Sequence, residues 1–313
     1  MKELVILSGK GGVGKTTVVA SLAVLSGQAV LADCDVDAPD LHLVLDPQVR
    51  HREDFIGGSK AHIRPALCTA CGKCEELCRF EAIFYDGPKG PRAARTFRVD
   101  RLACQGCGVC AWFCPEEAIE MTPEVCGECY VSQTRCGPMV HARLTPGAEN
   151  SGKMVTHLRR MAQAQAHQHR HPLILCDGAP GIGCPVIASL TGASFALLIA
   201  EPTPSGLHDF RRAAQLTQQM AVPALLAINK ADLNEEVSGQ LEELARQLGI
   251  DPLGRIPYDP QVARAQIARK TVVEFSGGPA AEAIRTLWRE IERRLRAAPP
   301  SAPAGLVPLQ SGA

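Results

Sequence analysis

The stretch Leu4-Val5-Ile6-Leu7-Ser8-Gly9-Lys10-Gly11-Gly12-Val13-Gly14-Lys15-Thr16-Thr17 decides how the rest of the chain is read. Its first four residues are uninterrupted apolar side chains, the pattern of a short strand buried on both faces. Gly9 and Gly14 then bracket four residues and are followed by Lys-Thr, the phosphate-loop spacing. Glycines let backbone N–H groups curl around phosphate oxygens, and the following helix adds its positive N-terminal end. Gly9 to Thr17 therefore reads as a phosphate site for ATP. Lys15 is expected on the β- and γ-phosphates and the Thr16 hydroxyl on Mg²⁺. A glycine-rich turn is the bland alternative; the strand before and the helix after speak against it.

Outward from this loop, Ala29–Ala32 is a second apolar run, ending in Asp33-Cys34-Asp35-Val36-Asp37. A carboxylate there, Asp35, is placed to orient the water that attacks the γ-phosphate. Leu173–Cys176 ends at Asp177, placed to hold Mg²⁺ directly or through water; the plain alternative is a helix cap or turn aspartate. Phe195–Ala200 and Ala224–Ile228 are further buried strands, with helical stretches at 151–165, 207–220 and 235–248. Short apolar strands alternating with helices predict an α/β fold with a doubly wound, mostly parallel sheet. A last helix over 280–295 aligns Ile284, Leu287, Trp288, Ile291 and Leu295 in one stripe that packs on the sheet. Residues 297–313 are rich in Pro, Ala and Ser and read as a disordered tail.

The pattern breaks after Leu45, and cysteine-rich sequence follows. The chain has 14 cysteines, eleven of them from Cys68 to Cys136. The N-terminal apolar run is too short for an export signal, so a cytoplasmic, reducing location is expected, where cysteines are ligands more often than disulfides. Cys68, Cys71, Cys74, Cys78 and then Cys104, Cys107, Cys110, Cys114 repeat the C-x2-C-x2-C-x3-C run that holds [4Fe–4S] clusters. In that run the fourth cysteine ligates the other cluster, so Cys68, Cys71, Cys74 and Cys114 hold one and Cys104, Cys107, Cys110 and Cys78 the other. Zinc, which takes four ligands as two separated pairs, fits two complete runs less well. The predicted organisation is an ATPase domain from 1–59 and 146–296, interrupted by an inserted α+β dicluster domain over 60–145. Two clusters exceed what stapling a small module needs, which favours redox work over a structural role.

Cys126, Cys129 and Cys136 form a looser group. They read as unligated loop thiols or, with a fourth ligand such as His141, as a partial metal site. Cys34 and Cys176 read as core thiols on strands. His167, His169 and His171 read as a solvated helix end. Lys plus Arg equals Asp plus Glu at 33 each, which argues against a nucleic-acid partner. No run is long and apolar enough to span a membrane.

The KGGVGKT form of the loop resembles the deviant phosphate loop of the MinD, Mrp and nitrogenase iron protein superfamily. That resemblance implies a homodimer in which Lys10 reaches the partner's nucleotide; by itself Lys10 also reads as a solvated loop lysine. It also favours Asp35 over Asp33 or Asp37 as the catalytic carboxylate, and Asp177-Gly178-Ala179-Pro180-Gly181 resembles the second switch. Asn229 is similar to the adenine-contacting asparagine, and Pro257 and Asp259 lie in what looks like the second base-side loop. With Asn150-Ser151-Gly152-Lys153 and Glu201-Pro202-Thr203-Pro204-Ser205-Gly206, the chain to about Arg294 resembles MinD-superfamily ATPases carrying an inserted ferredoxin domain. Cys184 stands where the nitrogenase iron protein has an interface-bridging ligand, but the position of a second such ligand falls near Asn150; a buried or switch-linked thiol is the other reading.

The resemblance implies a slow ATP hydrolase. Its leading function is an ATP-gated electron carrier working with a redox partner protein; the alternative is a metallocofactor assembly factor that hands a cluster to an apo-protein. A MinD-like positioning ATPase ranks third, because the tail lacks a basic amphipathic anchor.

Overall fold

In the computed structural model, which describes residues 1–27, 29–145 and 151–297, strand β1 (Lys2–Ser8) runs through the interior of a nine-stranded sheet. The other strands are β2 (Ala29–Cys34), β3 (Gln48–Ile63), β4 (Ile83–Gly87), β5 (Thr96–Val99), β6 (Ile119–Thr134), β7 (Gly137–Leu144), β8 (Leu173–Gly178), β9 (Phe195–Ala200), β10 (Ala224–Asn229) and β11 (Asp251–Ile256). The sheet order is β11-β10-β9-β1-β8-β2-β7-β6-β3, and the pairs from β11 across to β7 are parallel. A strand flanked on both sides and covered on both faces is mostly apolar, which is why β1, β2 and β8 carry the buried runs Leu4–Leu7, Ala29–Ala32 and Leu173–Cys176 without alternation.

The helices are α1 (Lys15–Ser26), α2 (Leu41–Leu45), α3 (Lys73–Glu76), α4 (Val109–Trp112), α5 (Ser151–Gln168), α6 (Cys184–Leu190), α7 (Pro204–Gln219), α8 (Glu235–Gln247), α9 (Gln261–Ile267), α10 (Val272–Phe275) and α11 (Pro279–Ala297). The stripe on α11 is buried with α1 and the strands in the main core. Parallel strands with helical crossovers meet the expected α/β class, and β1 and β8 end side by side because their register pairs Ile6 with Asp177.

The described residues divide into two compact units, one of residues 1–27, 29–53, 129–144 and 151–297, the other of 54–128 and 145. This moves the sequence-based boundaries. Residues 129–144, assigned above to the insert, lie in the larger unit, where β7 pairs with β2. The sequence likewise hides β3, which opens on five exposed and mostly polar residues (Gln48–Arg52) with no alternation to betray a buried face. The smaller unit contains the antiparallel pair β4–β5, the single turns α3 and α4, and its own core of Ala61, Ile63, Ala82, Ile83, Phe97 and Ile119. Asn150 and the predicted tail beyond Ala297 lie outside the described residues.

Candidate functional site

In the larger unit, the phosphate loop turns from β1 into α1 at Gly14, which sits at φ 87°. A side chain there would be strained by that φ, and its Cβ would stand 2.3 Å from the Asn229 amide nitrogen. Lys15, at the start of α1, is 6% exposed and donates to one oxygen of Asp177 at the end of β8 and to Asp35 after β2 (3.3 Å). Three separate segments thus converge on one ammonium. Burial alone would lower the Lys15 pKa; Asp177, then Asp35 and Asp33, more than offset it, so its pKa is raised. Asp177 is buried and its pKa is raised by that burial, against the opposing pull of Lys15 and a hydrogen bond to Thr16. Burial likewise raises Asp35.

Asp177 Oδ2 is buried and has no hydrogen-bond partner. An orphaned carboxylate oxygen beside the Thr16 hydroxyl fits a hard cation, whose preferred ligands are oxygens. Asp33 instead shapes the loop, accepting the N–H groups of Asp35 and Leu41 at 3.3 Å each.

Lys10 lies at the mouth of the loop, 3.1 Å from Ser205 Oγ and 3.6 Å from Glu201 Oε2. The other Glu201 oxygen accepts from Lys230 at 2.7 Å. Sequence reasoning assigned Glu201 no role; its signal was an acidic residue directly following a buried strand. Asn229 donates to Val13 O at 2.7 Å and so lies against the loop. Pro257 belongs to the segment after β11, where Tyr258 N–H donates to Asp232 (2.6 Å). Asp259 accepts from Gln261 N–H (2.9 Å) and Ala280 N–H (3.4 Å), so its side chain serves two helix starts. Thr17 accepts from the Gln266 amide (2.9 Å).

The smaller unit holds two cavities, each bordered by four cysteines drawn from both runs. One is lined by Cys68, Cys71, Cys74 and Cys114, the other by Cys78, Cys104, Cys107 and Cys110. Counted with their open mouths they enclose about 340 and 360 Å³. Backbone N–H groups point at the sulfurs: Ala70 to Cys68 (3.4 Å), Ala82 to Cys78 (3.4 Å) and Ala118 to Cys114 (3.3 Å). Among the described residues no three His, Cys, Asp or Glu side chains gather closely enough for a single metal ion. Four thiols spread around a cavity suit a cubane, in which each thiolate binds a different iron. In the second loop, Lys60 Nζ donates to Cys104 O (2.5 Å), and a Cβ on Gly106 (φ 65°) would lie 2.0 Å from Ser59 O.

The remaining cysteines separate. Cys126 and Cys129 are buried on β6, so these two are not the loop thiols expected, while Cys136 is buried in the turn after it. His141 is not their ligand: it pairs with Ser132 Oγ (2.8 Å) and stacks on Tyr130, and burial pushes its pKa down to about 4. Cys34 and Cys176 are fully buried, and a hydrogen bond between them together with burial holds the Cys176 thiol well above its ordinary pKa. Cys184 is exposed at the start of α6.

The CobQ/CobB/MinD/ParA nucleotide binding domain matches residues 4–272, and the chain belongs to that family. It is 30% identical over 294 residues to an uncharacterized protein of Methanocaldococcus jannaschii, covering 93% of this chain and 96% of that one. It is 26% identical over 137 residues to an iron-sulfur cluster carrier protein of Pyrococcus horikoshii, covering 39% of this chain and 46% of the relative. The septum site-determining protein MinD of Pyrococcus horikoshii, solved with Mg-ADP, superposes with a TM-score of 0.57 at 18% identity, covering 94% of this chain and 96% of that one. That likeness is one of fold. No helix among the described residues is long and apolar enough to cross a membrane.

Proposed function

We propose that this chain is an iron–sulfur ATPase, a homodimeric electron carrier gated by ATP, with two [4Fe–4S] clusters in a ferredoxin-like insert. The observation that carries the reading is the crossed lining of the two cavities, three cysteines from one run and the fourth from the other. Clusters bound there supply one-electron chemistry; the thiolates hold them and the Ala70, Ala82 and Ala118 N–H groups stabilise the sulfur charge. Lys15 takes the phosphates of ATP, Thr16 and the open oxygen of Asp177 hold Mg²⁺, and Asp35 orients the attacking water. Lys10 leaves Ser205 and Glu201 to reach the nucleotide of a second copy. ATP must bind the closed dimer more tightly than the open one for hydrolysis to switch between them.

The test is an anaerobic redox titration of reconstituted protein followed by EPR, run without nucleotide, with ADP, and with ATP on an Asp35→Ala variant. Two low-potential signals that move with nucleotide are expected. Signals indifferent to nucleotide, in potential and in rate of transfer, would sink the gating.

The match to an iron-sulfur cluster carrier protein favours a second reading, in which a cluster is handed to an apo-protein. Cluster transfer to an apo-ferredoxin, timed with and without ATP, separates the two.

A further inference from the structure

The two cysteine runs build the same local shape twice and dress it differently. In each, a glycine (Gly72, Gly108) opens a single helical turn, α3 or α4, between the second and fourth cysteines. On α3 the positions flanking Cys74 are Lys73, Glu75 and Glu76, the usual dress of a solvated turn. On α4 the matching positions are Val109, Ala111 and Trp112, and Phe113 follows where the first run has Leu77. Trp112 is 85% exposed, Phe113 49% and Val109 37%. Together with Met121 they border an open groove that reaches the exposed thiol of Cys107. The apolar surface stops at Lys73, whose ammonium stands 5.9 Å from the centre of the Phe113 ring.

A large apolar side chain left in water forgoes the free energy its burial would bring. The charged turn of the first run shows that the same backbone has no need of it. Trp is also among the residues enriched at the energetic hot spots where partners dock. We propose that α4 and Cys107 form the docking surface for a redox protein whose own prosthetic group is rimmed by apolar side chains, making the second cysteine cavity the port for electrons. The proposal rests on the electron-carrier reading above. The groove itself argues for this occupant. It shares Cys107, a predicted cluster ligand, with the lining of that cavity, so a partner seated there stands against the cavity's own wall, and the groove's floor carries no charge to pair with a charged rim. A second copy bound permanently over α4 would cover that wall. The step moves one electron from the reduced partner to this protein, with no bond formed or broken and no proton transferred.

The experiment uses the full-length, anaerobically reconstituted protein and flavodoxin hydroquinone as the probe, a donor whose flavin presents an apolar dimethylbenzene edge. Reduced methyl viologen is the small-molecule control. Wild-type protein should be reduced by both. Trp112→Glu should slow reduction by flavodoxin at least tenfold while leaving the methyl viologen rate and both EPR signals unchanged. Trp112→Phe should keep at least half of the wild-type rate. Equal flavodoxin rates for wild type and Trp112→Glu, or no reduction of wild type by flavodoxin, overturns the proposal. So does a dimer that Trp112→Glu dissociates in sedimentation velocity, since the occupant is then a second copy. Absence of both EPR signals from the wild type, seen before any donor is added, overturns the carrier reading instead.

Discussion

Lys15 and Asp177 form a buried ion pair in which the ammonium occupies Oδ1 of the carboxylate and Oδ2 has no hydrogen-bond partner. A lysine shared with Asp35, close to the buried Asp33, leaves more negative than positive charge in a low-dielectric pocket. Burial is the main reason the Asp177 and Asp33 pKa values stay up even beside a cation, and for Asp33 the Asp177 charge adds to it. A divalent cation with its nucleotide would relieve the excess of charge.

Replacing Asp177 by Asn keeps the shape and removes one charge. Mg-dependent ATP hydrolysis should fall by about 100-fold or more, the scale of losing one preorganised electrostatic group. Stability should behave differently. A carboxyl whose folded pKa is raised contributes stability only below its unfolded value near 3.9, and loses it as pH rises through the folded value. At pH 7 the nucleotide-free wild type therefore carries a penalty that Asp177→Asn removes, and its melting temperature should not exceed the variant's. A variant melting well below wild type would refute this.

Lys10 is held within its own chain by Ser205 and Glu201. If its work lies across a dimer, Lys10→Ala should leave nucleotide affinity within about threefold, a loss under ~1 kcal/mol. It should abolish the ATP-dependent dimer of an Asp35→Ala background, as read by sedimentation velocity. A dimer that persists would return Lys10 to the status of a loop lysine.

Cys114 belongs to the second run but lines the first cavity. Cys114→Ser should therefore perturb the cluster held by Cys68, Cys71 and Cys74 and spare the other. EPR of Cys114→Ser and of Cys78→Ser should show complementary losses. Loss of the same signal in both variants would contradict crossed ligation.

Glu274 accepts from Arg135 Nε (2.8 Å) and Nη2 (2.9 Å) and from Thr271 N–H (2.9 Å), while Arg135 also donates to Val44 O. These partners, Arg135 first, hold its pKa down at about 2. A carboxyl lowered on folding adds stability above its unfolded value near 4.3, and that stability fades as pH falls through the folded value. Glu274→Gln should cost about 1–3 kcal/mol at pH 7. The gap in urea midpoint should shrink between about pH 4.3 and pH 2; a gap independent of pH would show that the charge is not what stabilises the contact.

Much of the site was legible because its parts are contiguous. Gly9 to Thr17 is one loop whose residues act within a few ångströms of their chain neighbours, and each cysteine run carries three of its four predicted ligands within seven residues. Strands β1, β2, β8, β9 and β10 announced themselves as apolar runs because they are covered on both faces. β3, β6 and β7 did not. β3 and β6 keep no period of two along their length, β7 alternates only over the five residues Val140–Leu144, and β11 carries Pro252 and Gly254, so neither propensity nor alternation marked it.

By itself the sequence determined a phosphate loop on a strand-to-helix turn, two ligand runs of cluster spacing and an α/β frame to hold them. Tertiary structure decided the rest. Lys15 meets Asp177, 162 positions later, only because β1 and β8 lie side by side in parallel register. Glu201 joins Lys10 to Lys230, and residues 129–144 belong with the large sheet. Each of these depends on strand order and register. Those are set by the packing of the whole core, and a contact between distant segments leaves no periodic trace in either of them.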